Sequence, residues 1–197
     1  MNYLGHFVLA GPDRDLRLGA FLGDFITGPL PGPHAPGLAR GLALHRFIDR
    51  LTDSDPVFRE LKGLAPAPLR RFMPIALDVI FDHCLARHFS TLTQSDLEPF
   101  CEEVIQELRE SEALMPAPAR ATLAALATHR VLPRYRHWEA IQATLERISQ
   151  RRPRLGALQA LPPLLEEALP TIEAVFLTRF PVLEAACEAW KHGADSP

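Results

Sequence analysis

The sequence predicts an all-α fold. Three observations carry this. Apolar residues recur at helical spacing through most of the chain, prolines and glycines punctuate it at helix-length intervals, and no stretch alternates apolar with polar residues or offers an Asn-Gly hairpin turn. At 197 residues the chain can bury one good-sized core, and a single domain is expected.

Taken in order, Tyr3 to Ala10 is too short for periodicity to choose between a helical turn and an extended segment. After the Gly11-Pro12-Asp13 turn, Asp15 to Thr27 reads as a helix with Leu18, Phe21, Leu22, Phe25 and Ile26 as its stripe, Asp24 beside it and Gly28 as a stop. The following GPLPGPHAPG is a loop. Pro36 to Thr52 is the next helix, and Asp55 suits the N-cap of another that opens at Pro56. Pro66 to Arg71 reads as a short helix leading into Pro74 to Phe89, where Ile75, Val79, Leu85, Ala86 and Phe89 form an apolar surface. Ser95-x-x-Glu98 has the form of a capping box for a helix to about Leu114. Pro116/Pro118 open one that ends near Arg130, and Pro133 opens one that reaches Gln150. Arg151-Arg152-Pro153-Arg154 then interrupts. Three helical stretches, broken near Pro162/Pro163, Pro170 and Pro181, continue to Trp190, and the tail HGADSP is expected to fray.

Composition narrows the function. Hydrophobic residues make up 47% and charged residues 23%, a globular balance, and no apolar run approaches the roughly 20 residues that cross a bilayer. The opening MNYLGHFVLAGPDRD has no basic n-region, so the cytoplasm is the expected location and no membrane partner is expected. A net charge of −3 argues against nonspecific nucleic-acid binding. Cys84, Cys101 and Cys187 are widely spaced and form no CxxC, which fits small core residues rather than a disulfide frame or a zinc knuckle.

Chemistry concentrates in PIALDVIFDHCLARHF. Asp78 and Asp82 stand one helical turn apart on a buried surface, where two carboxylates repel and are costly to desolvate. A cation resolves both problems, and oxygen and imidazole ligands from Asp78, Asp82 and His83 suit Mg²⁺, Mn²⁺ or Fe; alternatively, one Asp pairs with an Arg or faces solvent. LHRFIDRLTDSD places His45, Asp49 and Asp53 at successive four-residue steps. His45 and Asp49 can share an ion, Asp49 can orient the imidazole, or the pair is an exposed i,i+4 contact. His6 on its apolar segment is either a satisfied core histidine or a ligand. There is no phosphate loop, GxGxxG, GxSxG or HExxH, which removes kinase, dehydrogenase and serine-hydrolase readings. Glu-x-x-His repeats of di-iron carboxylate proteins are also missing. Asp24, His45, Asp49, Asp78, Asp82 and His83 remain, and a divalent ion among them would favour phosphate-ester hydrolysis. A structural or protein-binding helical module that needs no metal is the competing class.

At these residues the sequence resembles a known family. MNYLGHFVLA, the LGDF around Asp24, LHRFIDRLTD, PIALDVIFDH with the following LARHF, and RRPRLGAL are similar, in consistent order over most of the chain, to the acyl carrier protein phosphodiesterases. The resemblance implies a compact multi-helix bundle of the HD-domain-like type, dependent on Mn²⁺ or Mg²⁺. It implies hydrolysis of the phosphodiester joining 4′-phosphopantetheine to a serine of holo-acyl carrier protein, with a nucleotide or other small phosphoester as the alternative substrate. One departure stands out: the chain has no His-Asp dipeptide, only the reversed Asp82-His83. On this reading Asp24, His45, Asp49, Asp78 and Asp82 hold the ion, and His83, or else His6, protonates the leaving oxygen. Arg46, Arg151, Arg152 and Arg154 are candidates to neutralise the phosphate or dock the acidic carrier.

Overall fold

Eleven α-helices, joined by turns, loops and four 3-10 segments, are found among the described residues, 1–151 and 153–193 of this computed structural model, and no strand occurs among them. In order they are α1 (Tyr3–Ala10), α2 (Arg14–Leu22), α3 (Pro36–Ser54), α4 (Pro56–Glu60), α5 (Met73–Arg87), α6 (Phe89–Thr93), α7 (Leu97–Glu110), α8 (Ala117–Thr128), α9 (Val131–Arg134), α10 (Trp138–Arg151) and α11 (Pro162–His192). The all-α expectation holds. No helix among the described residues is long and apolar enough to cross a membrane.

Helix α5 is the hub. From Ala76 and Leu77 through Val79 to Ala86 its residues are buried all round, as expected of a helix enclosed by others. Helices α1, α10 and α11 pack against it, and buried residues from Met1 to Cys187 form one hydrophobic cluster. Cys84, Cys101 and Cys187 lie in that cluster as free thiols, each pushed up to about 12 by burial.

Several boundaries differ from the sequence reading, each for a local reason. Helix α2 ends at Leu22, where the Gly23 amide returns to the Gly19 carbonyl and the Phe25 and Ile26 amides both fold back on Leu22. Asp55 does cap α4, accepting from the amides of Val57 and Phe58, and its second oxygen pairs with Arg179 of α11. The Ser95–Glu98 capping box does not form: Asp96 holds the N-cap position of α7, without a side-chain cap bond. The expected Pro133–Gln150 helix is two, α9 and α10, separated by a turn.

The largest correction is α11. Pro170 and Pro181 lie inside a single 31-residue helix rather than breaking it. Both prolines are exposed, so the carbonyls they leave without partners can turn to water. The opposite face, with Leu165, Ile172, Phe176, Phe180, Leu183 and Cys187, is buried, and that packing outweighs the local penalty. The expected fraying of HGADSP from residue 194 onward lies outside the described residues.

A candidate metal centre built on α1 and α3

Helices α2 and α3 touch backbone to backbone. A Cβ on Gly19 would lie 2.3 Å from the Gly41 carbonyl carbon, and one on Gly41 would lie 2.6 Å from the Asp15 carbonyl oxygen, so only glycine permits this approach. One turn further along each helix stand Gly23 and His45. A Cβ on Gly23 would fall 2.2 Å from His45 Cγ, so the imidazole occupies the space which that glycine leaves. His45 Nδ1 lies 2.8 Å from the Ala20 carbonyl oxygen. A carbonyl only accepts, so Nδ1 carries the proton, and in the neutral ring Nε2 presents its lone pair to the cluster.

That lone pair faces Asp49, whose Oδ2 is 3.1 Å from His45 Nε2. The other carboxylate oxygen, Oδ1, is 3.1 Å from His6 Nε2. The two imidazoles stack nearly parallel, with centroids 4.2 Å apart and planes at 14°. The ligand atoms of His6, His45 and Asp49 all lie within 4.8 Å of one another, close to the spread that donors ~2.1 Å from one ion require. Both rings are buried, but the Asp49 side chain is 45% exposed, so the cluster opens to solvent on its carboxylate side. Asp24 stands at that opening, half-exposed, with Oδ1 3.8 Å from His45 Nε2, and accepts a hydrogen bond from the Tyr3 hydroxyl.

The electrostatics admit a proton or a metal ion between these groups. Burial holds the His6 imidazole neutral, with its pKa lowered to about 4 against its hydrogen bond to Asp49. Burial opposes a charge on His45 as well, but the hydrogen bond and charge of Asp49, with the charge of Asp24, outweigh it and raise its pKa. Burial likewise favours a neutral Asp49, yet the two imidazoles hold its carboxyl well below the usual range. A bare Nε2 lone pair and a carboxylate oxygen at 3.1 Å are two acceptors facing each other. Either a proton or a metal ion must lie between them, so the donor set fits a divalent cation.

The acids of α5 are used differently. Asp82 is fully buried and accepts from the amides of Leu4 (2.8 Å) and Gly5 (3.0 Å), the first free N–H groups of α1. It supplies from another helix the cap that Asn2 does not provide, and burial pushes its pKa up to about 7 against those two bonds. Asp78 accepts from the α-ammonium of Met1 at 2.9 Å. In the pair that looked like an ion site, Asp78 is thus paired with an ammonium and Asp82 is hydrogen-bonded by two amides. His83 donates Nδ1–H to the Tyr135 carbonyl at 2.6 Å and meets the edge of Trp138; the structure does not bring it to the His6–His45–Asp49 cluster. Arg46 is half-buried and makes no ion pair among the described residues. Arg154 is exposed, while the Arg151 side chain and the whole of Arg152 lie outside the described residues.

Spacing on α3 had marked His45 and Asp49. Sequence reasoning missed Gly23, the Ala20 carbonyl and Tyr3; their one available signal was the matched spacing of Gly19 with Gly23 and of Gly41 with His45.

An all-α chain with two imidazoles and a carboxylate gathered at a solvent opening defines a helical protein with a cluster that could hold a metal ion. The comparisons specify which. The family model described as acyl carrier protein phosphodiesterase matches residues 1–183, and the chain belongs to that family. It is 33% identical to an acyl carrier protein phosphodiesterase of Yersinia pestis over 184 residues, 93% of this chain and 95% of that protein. It is 32% identical to one of Pectobacterium atrosepticum (92% and 94% covered) and 36% identical to one of Escherichia coli O139:H28 (81% and 83% covered). No solved structure matches the chain.

Proposed function

We propose that this chain hydrolyses the phosphodiester between 4′-phosphopantetheine and the serine of holo-acyl carrier protein, releasing apo-carrier and 4′-phosphopantetheine, with water as co-reactant. Family membership supplies the substrate class, and the observation that carries the chemistry is the His6–His45–Asp49 cluster. Those three side chains hold the ion, and Asp24 at the opening is the fourth donor. A ligand set of two imidazoles and carboxylate oxygens favours Mn²⁺ over Mg²⁺. The bound ion lowers the pKa of a coordinated water and neutralises phosphate oxygens.

The protein's own groups prepare that place. The Ala20 carbonyl fixes the His45 tautomer, Gly23 leaves room for its ring, and the His6 stack sets the second imidazole. Arg46, adjacent to His45 in sequence and without an ion pair among the described residues, offers a guanidinium to the phosphate. Asp82 and Asp78 act by anchoring α1, which carries His6. His83 serves the packing of α5 against the Tyr135 region.

The test is the mass of holo-acyl carrier protein before and after incubation with the protein and Mn²⁺. Loss of the phosphopantetheine arm, abolished by His45→Ala or Asp49→Ala, is the expected result. An unchanged carrier mass overturns the assignment.

A further inference from the structure

A cavity of about 310 Å³ opens between the start of α1 and helices α8, α9 and α10, within the volume range of small-molecule sites. Tyr3 links it to the centre just described. Tyr3, whose hydroxyl bonds Asp24, forms part of its wall with Asn2, and Tyr3 stands one helical turn before His6. The wall is mixed. Asn2 Nδ2 donates to the Tyr135 hydroxyl at 3.0 Å, and Thr122 and Thr144 add hydroxyls, while Leu126, Val131 and Ile148 are apolar. Arg147 stands at the rim and also lines an adjoining depression with His129 and Arg134. Arg134 and Arg147 are exposed and carry no ion pair among the described residues, and no acidic side chain lines either hollow.

We propose that this cavity receives the pantetheine arm of the carrier protein, with the carrier's acidic surface seated on Arg134 and Arg147. The inference rests on the reaction proposed above and adds where its substrate lies. The arm carries two amides and a hydroxyl on an aliphatic chain with a geminal dimethyl group, so it needs alternating polar and apolar contacts such as this wall provides. Its phosphate end must reach the ion cluster, and Tyr3 borders both. A cationic rim with unpaired guanidinium groups complements an acidic protein and guides its approach.

The experiment measures binding separately from turnover. In a His45→Ala background, which does not consume the substrate, affinities for holo- and apo-carrier are compared by calorimetry. Holo-carrier is expected to bind about tenfold or more tightly than apo-carrier, the difference being the arm. Adding Thr122→Trp, which fills the cavity, is expected to bring holo affinity down to the apo value with circular dichroism and melting unchanged. Arg147→Glu, a surface change with no bearing on folding, is expected to weaken holo- and apo-carrier alike by about tenfold. A holo advantage that survives Thr122→Trp, or carrier affinity indifferent to Arg147→Glu, overturns the proposal. Absence of turnover by the unsubstituted protein overturns the reaction itself, a distinct failure.

Discussion

At His45 a single ring is positioned from three sides: a carbonyl on α2, the glycine that caps α2 and a carboxylate one turn along α3. Gly23 has ordinary right-handed helical dihedrals, φ −56° and ψ −32°, so alanine costs its backbone nothing. The added Cβ instead meets the imidazole. Gly23→Ala is therefore expected to keep helix content while lowering Mn²⁺ affinity ~10–100-fold, the usual consequence of disturbing a group that orients a ligand; titration with Mn²⁺ checks it, and unaltered affinity places the ion elsewhere. His45 also sets a pH dependence. Burial lowers its pKa, but Asp49 and Asp24 more than offset that and raise it, so an ion bound at His45 competes with a proton. Ion binding releases that proton wherever His45 carries it, so affinity rises with pH through the His45 titration. Calorimetry in buffers of different ionisation enthalpy counts that proton; a count of zero removes His45 from the ligand set.

At the scale of elements, α1 is a helix of only eight residues, too short to persist alone. Asp82 holds it from α5 through the amides of Leu4 and Gly5. Asp82→Asn keeps one acceptor but turns an amide NH₂ toward one of those N–H groups, leaving a buried donor unsatisfied. The expected cost is about 1–3 kcal/mol, read as a lowered midpoint in thermal or urea unfolding. Turnover should fall with it, because His6 rides on α1. Normal stability in this variant means that α1 is held by apolar packing alone. The crossing of α2 over α3 works in the same way for His45: Gly19 and Gly41 set the separation, and the site one turn further on depends on it.

Over the whole molecule, an ion held by the proposed cluster would tie together segments that contribute His6 and, 43 residues later, Asp49. A ligand that binds only the folded chain stabilises it by mass action, ~2.7 kcal/mol at 100 times its dissociation constant. For a chain of this size that corresponds to a rise of roughly 5–10 °C in Tm. Mn²⁺ is expected to produce this shift, EDTA to reverse it, and His45→Ala to abolish it. The same scale explains the route for a substrate. The net charge of −3 is negative, yet the rim beside α9 and α10 presents free guanidinium groups, so an acidic partner meets a local surface of opposite sign.

The sequence by itself determined the helical class, the N-cap at Asp55, the His45–Asp49 pair and the family, because each depends on spacing within one segment or on strings that stand in order. Tertiary structure alone decided which charged residues meet. Asp78 and Asp82 have the spacing of a shared ion site, but their partners arrive from Met1 and from Leu4 of α1, 77 and 78 residues away along the chain. His83 follows Asp82 directly, and one helical step turned it toward Tyr135 instead. Pro170 and Pro181 broke a helix by local rule and failed to do so once a buried face held the segment straight. Local geometry is written in adjacent residues; the partner of a buried charge is settled only when distant helices close around it, since burial makes an unpaired charge too costly to leave.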